Sequence, residues 1–316
     1  VAVAERYAAS RGIELKRQSE YADVDIERAR RIADAYDKMA HDPQNPAVAE
    51  AYRQLIEQTA AQYDALVEAG YEFYFVDLDN DPYADQPGGF GNPYNAVRDL
   101  RANRRMAVFP TESGFGSGAT DLDGSNNPLL ADTGLQWAFG RPGGPLKRVT
   151  ANDLFRAVHD AMGHSLEGAG FRARGEENAW QAHVRLFTGA AIGAMTSETR
   201  GQNSWLNFGP FGEKNRNAKV EDTTFADQKV GLMPSWTWEE GRVGNVLSAR
   251  LRGDTTKEIT EAFVAEGAKF ADILVALQDV VKATVGLHRV KDRTSEDKEF
   301  GRVLDLSESV RVDTYK

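Results

Sequence analysis

Residues 149–189 read VTANDLFRAVHDAMGHSLEGAGFRARGEENAWQAHVRLFTG, and this stretch decides both the fold class and the chemistry to expect. Thr150 followed by Asp153 has the form of a capping box, in which each side chain satisfies the other residue's backbone N–H. A helix therefore starts just before Asn152, and His159 lies about two turns inside it. Three of the 5 histidines, His159, His164 and His183, fall between Val158 and Val184, beside Asp160, Glu167, Glu176 and Glu177. Such a density of imidazoles and carboxylates points to a metal site. Asp160 reads as an orienter of a ligand imidazole, a proton carrier, or a residue that pairs at the surface.

His159 and His164 are five residues apart, which on an ideal α-helix separates their side chains by about 140°. The four-residue spacing of a zinc-protease helix makes its histidines neighbours, whereas five requires a local distortion. Gly163 supplies one, because glycine lets a helix widen or end and swing His164 back to the side that His159 faces. Further on, Glu176 and His183 are two helical turns apart and share a face, as Glu177 and His183 nearly do. A ligand set of His159, His164, Glu177 and His183 would suit a four-coordinate zinc site or a two-metal site, with Glu177 or His183 as the general base of a hydrolase.

The order His159-Asp160-Ala161-Met162-Gly163-His164 resembles the iron helix of the pterin-dependent aromatic amino acid hydroxylases, His-Glu-x-x-Gly-His. In that family a Thr-x-Glu segment one or two helices later supplies the third ligand, and here Thr196-Ser197-Glu198 lies 34 residues beyond His164. Over about residues 150–200 the resemblance implies a mononuclear non-haem Fe(II) site held by His159, His164 and Glu198. It also implies three open positions for a small polar or aromatic substrate and dioxygen, and oxygenase chemistry. His183 then supports a ligand or touches the substrate. Asp160 stands where the family has glutamate, which argues against pterin as a cofactor. Across most of its length the chain also resembles a group of proteins encoded by bacteriophages and mobile elements, in NDLFRAVHDA (152–161), GEENAWQAHVRLFTG (175–189) and TSETRGQNSWLNFGP (196–210). That likeness implies no particular reaction, and it leaves open a non-enzymatic accessory role with a structural metal.

Beyond Glu198 the mixture of amides, one arginine and aromatics suits a pocket wall. Arg200 would clamp an anion, Asn203 would hydrogen-bond, and Trp205 and Phe208 would stack on a ring; the alternative is that the aromatics are core and the arginine pairs with an acid. No Gly-x-Ser-x-Gly elbow accompanies Ser165, and the glycines at 88–91 and 168–175 lack the strand and lysine of a nucleotide loop. His41 and His288 read as ordinary hydrogen-bonded histidines.

Outward from the centre the pattern is mainly helical with minor β, in one integrated domain with long ordered loops. Apolar Ala29, Ile32, Ala33 and Tyr36 mark one helix. Val48, Tyr52, Leu55 and Leu66 mark another after the break at 41–46, and together they predict an antiparallel hairpin over residues 1–70. YEFYFVD (71–77) and MAVF (106–109) predict strands, and the Gly/Pro/Asn-rich stretches around them predict loops. Ile259, Phe263, Phe270, Leu274, Leu277 and Val281 predict a late helix, giving a metal-binding core over 71–290 and a charged tail from 291. The 316 residues, 41% hydrophobic and 27% charged, are the balance of a folded, water-soluble protein.

A net charge of −10 removes the electrostatic drive for binding nucleic acid or an anionic membrane. With no cysteine, any metal is held by His, Asp and Glu. No run is apolar enough to span a bilayer and the start is too polar for a secretory leader, so a cytoplasmic location is expected. A start at Val1 without Met is expected of a processed segment.

Overall fold

The helices begin where the sequence offers caps. Asp25 accepts from the backbone N–H of Arg28 to start α2 (Ile26–Lys38), and Asn45 accepts from that of Ala47 ahead of Pro46 to start α3 (Pro46–Glu68). A shorter helix, α1 (Ala2–Ser10), precedes them and buries Val3, Ala4, Tyr7 and Ala8. The computed structural model describes residues 1–239 apart from 18–20, 87–88, 90–91, 114–125, 217 and 219–221. These lie almost wholly in the first of two units, Val1–Thr237 and Trp238–Lys316. The expected helix at 257–287 and the charged segment from 291 lie outside the described residues. The described residues are mainly α with minor β.

The predicted helical hairpin does not form. α2 packs on the segment around residues 197–208, whereas α3 packs on helices formed by residues 151–159 and 191–196. The reason lies in the buried faces: Ile32, Ala33 and Tyr36 of α2 join Trp205, Ala226 and Met233. α3 instead sends Leu66 toward the core beneath the strands. α2 and α3 thus pack on different later elements of the same unit, and no boundary separates residues 1–70 from residues 71 onward.

Both predicted strands form and pair parallel, β1 (Glu72–Phe75) with β2 (Arg105–Val108), Phe73 opposite Met106. α4 (Pro93–Asn103), capped by Asn92, connects them. A second, antiparallel pair, β3 (Asp132–Ala138) with β4 (Leu146–Thr150), was not predicted. β3 alternates over Thr133, Leu135 and Trp137, but only Trp137 in it and Val149 in β4 are buried, so the apolar signal is short and weak. Trp137 joins Tyr63, Phe73 and Phe75 in an aromatic cluster and donates through Nε1 to the Tyr63 hydroxyl at 2.9 Å.

The capping box at the end of β4 forms as expected. Thr150 accepts from Asp153 N at 3.2 Å, and Asp153 accepts from Thr150 N at 2.9 Å, starting α5 (Ala151–His159). A π-helical turn, Asp160–His164, comes next, then α6 (Ser165–Glu167), α7 (Ala173–Val184) and α8 (Ala191–Thr196). A second π turn, Ser197–Gly201, leads to α9 (Gln202–Phe208) and α10 (Gly212–Asn215). Among the described residues no helix is long and apolar enough to cross a membrane.

Candidate metal centre

The first π turn answers the spacing problem. A wider turn of i→i+5 hydrogen bonds brings residues five apart onto one face, and the rings of His159 and His164 stand 5.1 Å apart, edge to face. Gly163 is needed there for clearance. A Cβ on it would lie 3.0 Å from the Ala179 carbonyl and 3.2 Å from the His159 ring, so any other residue would push α7 and His159 away. α7 brings the third group: His159, His164 and Glu176 each offer a ligand atom within 4.8 Å of the others.

The surroundings set which nitrogen each imidazole presents. His164 Nδ1 donates to the Ala169 carbonyl at 3.2 Å, and its Nε2 faces Glu176 Oε2 at 3.4 Å. His183 donates from Nε2 to Gln62 Oε1 at 2.9 Å, so its Nδ1 is left to accept from His159 Nδ1, also at 2.9 Å. Both His159 and His164 therefore have Nδ1 against an acceptor, which leaves Nε2 of each ring free of protein acceptors other than Glu176, an arrangement that would suit a metal. Phe171 stacks on His164 with centroids 3.9 Å apart, and Phe155 stacks on both His159 and His183.

Charge obeys the same logic. Burial, with the neighbouring His164 and His183, holds His159 well below the ordinary imidazole range, and burial takes His183 down to about 3. Both are neutral ligand-type imidazoles near pH 7. Burial also pulls His164 down, but the Glu176 hydrogen bond and charge, with Asp160, overcome it and leave it raised. Burial raises Asp160 to about 6 and Glu198 to about 7.

The cluster opens on a cavity of about 360 Å³, whose wall includes Asp160, Glu198, Asn203, Phe155 and Phe171. Glu198, in the second π turn, lies on this wall but outside the three-residue convergence. Its carboxylate accepts from the Tyr52 hydroxyl and from Gln202 Nε2 at 2.9 Å. Asn203 donates to Glu176 Oε2 at 2.9 Å and so fixes that carboxylate.

Other expected site residues lie elsewhere. Glu177 and Arg200 pair with each other at 2.6 and 3.0 Å; Arg200 also donates to the Thr237 carbonyl and lies 3.9 Å from the Trp180 ring centroid. Arg200 is 5% exposed and does not line the cavity, so its fork holds the fold and not an anion. With Glu177 turned to Arg200 and His183 behind His159, the set His159, His164, Glu177 and His183 does not assemble. Trp205 is buried against α2 and donates to Asp37 at 2.9 Å, and neither it nor Phe208 reaches the cavity.

Glu176 was legible only through its shared face with His183: the face of α7 that puts His183 behind His159 also turns Glu176 to His164. Tyr52 and Gln62, both on α3, carried no signal, because each reads as one polar position on an amphipathic helix. Comparison with family models, curated proteins and solved structures finds no match to this chain.

Proposed function

We propose that the chain is a mononuclear metal enzyme, an Fe(II)-dependent oxygenase whose ligands are His159, His164 and Glu176. The observation that carries the reading is the convergence of two imidazoles and one carboxylate, their ligand atoms within 4.8 Å of one another, beside a cavity. Iron held by His159, His164 and Glu176 would supply the binding and activation of dioxygen.

The chain's own residues do the rest. The acceptors behind His159 and His164 hold each Nδ1–H and so fix the orientation of both rings, and Asn203 aims Glu176. Phe155 and Phe171 restrict water around the ligand rings. Glu198, titrating near 7 and held by Tyr52 and Gln202, is placed to hold or release a proton at the cavity wall.

That property of Glu198 also favours a second reading, a zinc hydrolase on the same three ligands with Glu198 as general base. Dioxygen consumption separates the two. Protein reconstituted anaerobically with Fe(II) and given ascorbate should take up oxygen well above free iron, and the Glu176→Ala variant should not. Uptake no greater than free iron, with zinc-supported ester or amide hydrolysis, would replace the oxygenase with the hydrolase.

A further inference from the structure

Outside the three-ligand cluster the cavity wall carries two carboxylates, Asp160 and Glu198. Asp160 has no hydrogen bond or ion pair among the described residues, whereas Glu198 is held by Tyr52 and Gln202. Gln202 commits both of its amide N–H groups, to Glu198 and Gln228, while Asn203 commits one to Glu176 and Asn152 one to Thr111 Oγ1 at 3.1 Å, so these two amides can still both donate and accept. The sole Lys or Arg among the described lining residues is Arg156, which is exposed and already donates to the Phe109 carbonyl.

Away from the three-ligand cluster, a carboxylate-bearing ligand would meet like charge at Asp160 and Glu198. We propose that the cavity selects a small organic cation, an amine, amidine or guanidinium on an apolar or planar body, whose N–H groups reach Asp160, Glu198 and the neighbouring amide oxygens. As the identity of the substrate, this rests on the metal-enzyme reading; as a binding property it does not. A second metal ion is the competing occupant of an acidic wall. Phe155, Phe171 and Phe225 line the same cavity, and aromatic rings favour an organic cation over a hydrated metal.

The test is calorimetric titration at about pH 8, where Glu198 is ionised, of the full-length, metal-loaded protein with benzamidinium and with neutral benzamide, which share a shape and differ in charge. Benzamidinium should bind at least tenfold more tightly, with the advantage shrinking as salt rises. Asp160→Asn and Glu198→Gln should each cut that advantage severalfold, and Arg156→Gln should increase it. The two carboxylate variants are near-isosteric, and circular dichroism verifies their folding.

Equal affinities, no benzamidinium binding, or a preference unchanged in both carboxylate variants would overturn the proposal, as would uptake of a second metal ion that excludes benzamidinium. Repeating the titration on chelator-treated protein keeps the two readings apart. A preference that persists in a protein which never holds iron or zinc sinks the enzyme reading alone; loss of preference in a protein that holds its metal sinks the cation reading alone.

Discussion

Glu198 is the residue whose behaviour separates a cavity group from a ligand. Burial raises it from its ordinary 4.5 to about 7, despite the Tyr52 and Gln202 hydrogen bonds that pull it down. A carboxyl raised on folding binds a proton in the native state that the unfolded chain has already lost. Its contribution is therefore fully present below about pH 4.5 and is lost as pH rises through about 7. In metal-free protein the melting temperature should fall across that window, and Glu198→Gln should fall less. Asp160 and His164 are also raised, so part of the slope should survive in the variant. Parallel slopes for the two proteins would contradict the burial of Glu198.

At this scale the sequence was most informative about the histidines. Their spacing demanded a distortion and Gly163 stood where one was needed. It was least informative about which carboxylate joins them, because Glu176, Glu177 and Glu198 are chemically alike and only the rotation of α7 and the second π turn sorts them. Arg200 illustrates the same limit. A lone arginine near aromatics reads as a substrate clamp until Glu177 is seen against it.

Two π turns bound the cavity, each contributing a wall residue that an uninterrupted α-helix would have turned aside. Such turns recur at functional sites because the inserted residue costs helix regularity and re-aims side chains. Gly163→Ala tests the first one. The added methyl would lie 3.0 Å from backbone that cannot yield easily and 3.2 Å from the His159 ring. We expect a loss of about 1–3 kcal/mol in denaturant unfolding, as for other overpacked positions, with metal bound several-fold more weakly. Unchanged stability and affinity would mean that the turn relaxes freely.

The two strands of the first sheet and the capping box were legible because each rests on local chemistry: a short apolar or aromatic run, a Thr–Asp pair three residues apart. The β3–β4 pair was not, since its period-two pattern is short and carries only Leu135 and Trp137 as large apolar residues between polar neighbours and glycine in β3. Nor was the partnering of α2 with α9, because two apolar stripes close in sequence look like a hairpin until the Trp205 and Met233 surfaces compete for one of them.

On the scale of the whole unit, distant segments meet at the site. α3 sends Gln62 behind His183 and Tyr52 to Glu198, α5 and the first π turn give both histidines, α7 gives Glu176, and the second π turn gives Glu198. A site assembled from four separated elements is preorganised by the core and not by any one loop.

The central claim is the identity of the three ligands. Metal content after purification without chelators or an affinity-tag metal column, measured in the parent protein and in His159→Ala, His164→Ala, Glu176→Ala and Glu198→Ala, tests it most directly. The account predicts near-stoichiometric iron in the parent, loss in the first three variants and retention in Glu198→Ala. Loss in Glu198→Ala with retention in Glu176→Ala would move the third ligand to Glu198, and a parent protein that holds no metal would contradict the account altogether.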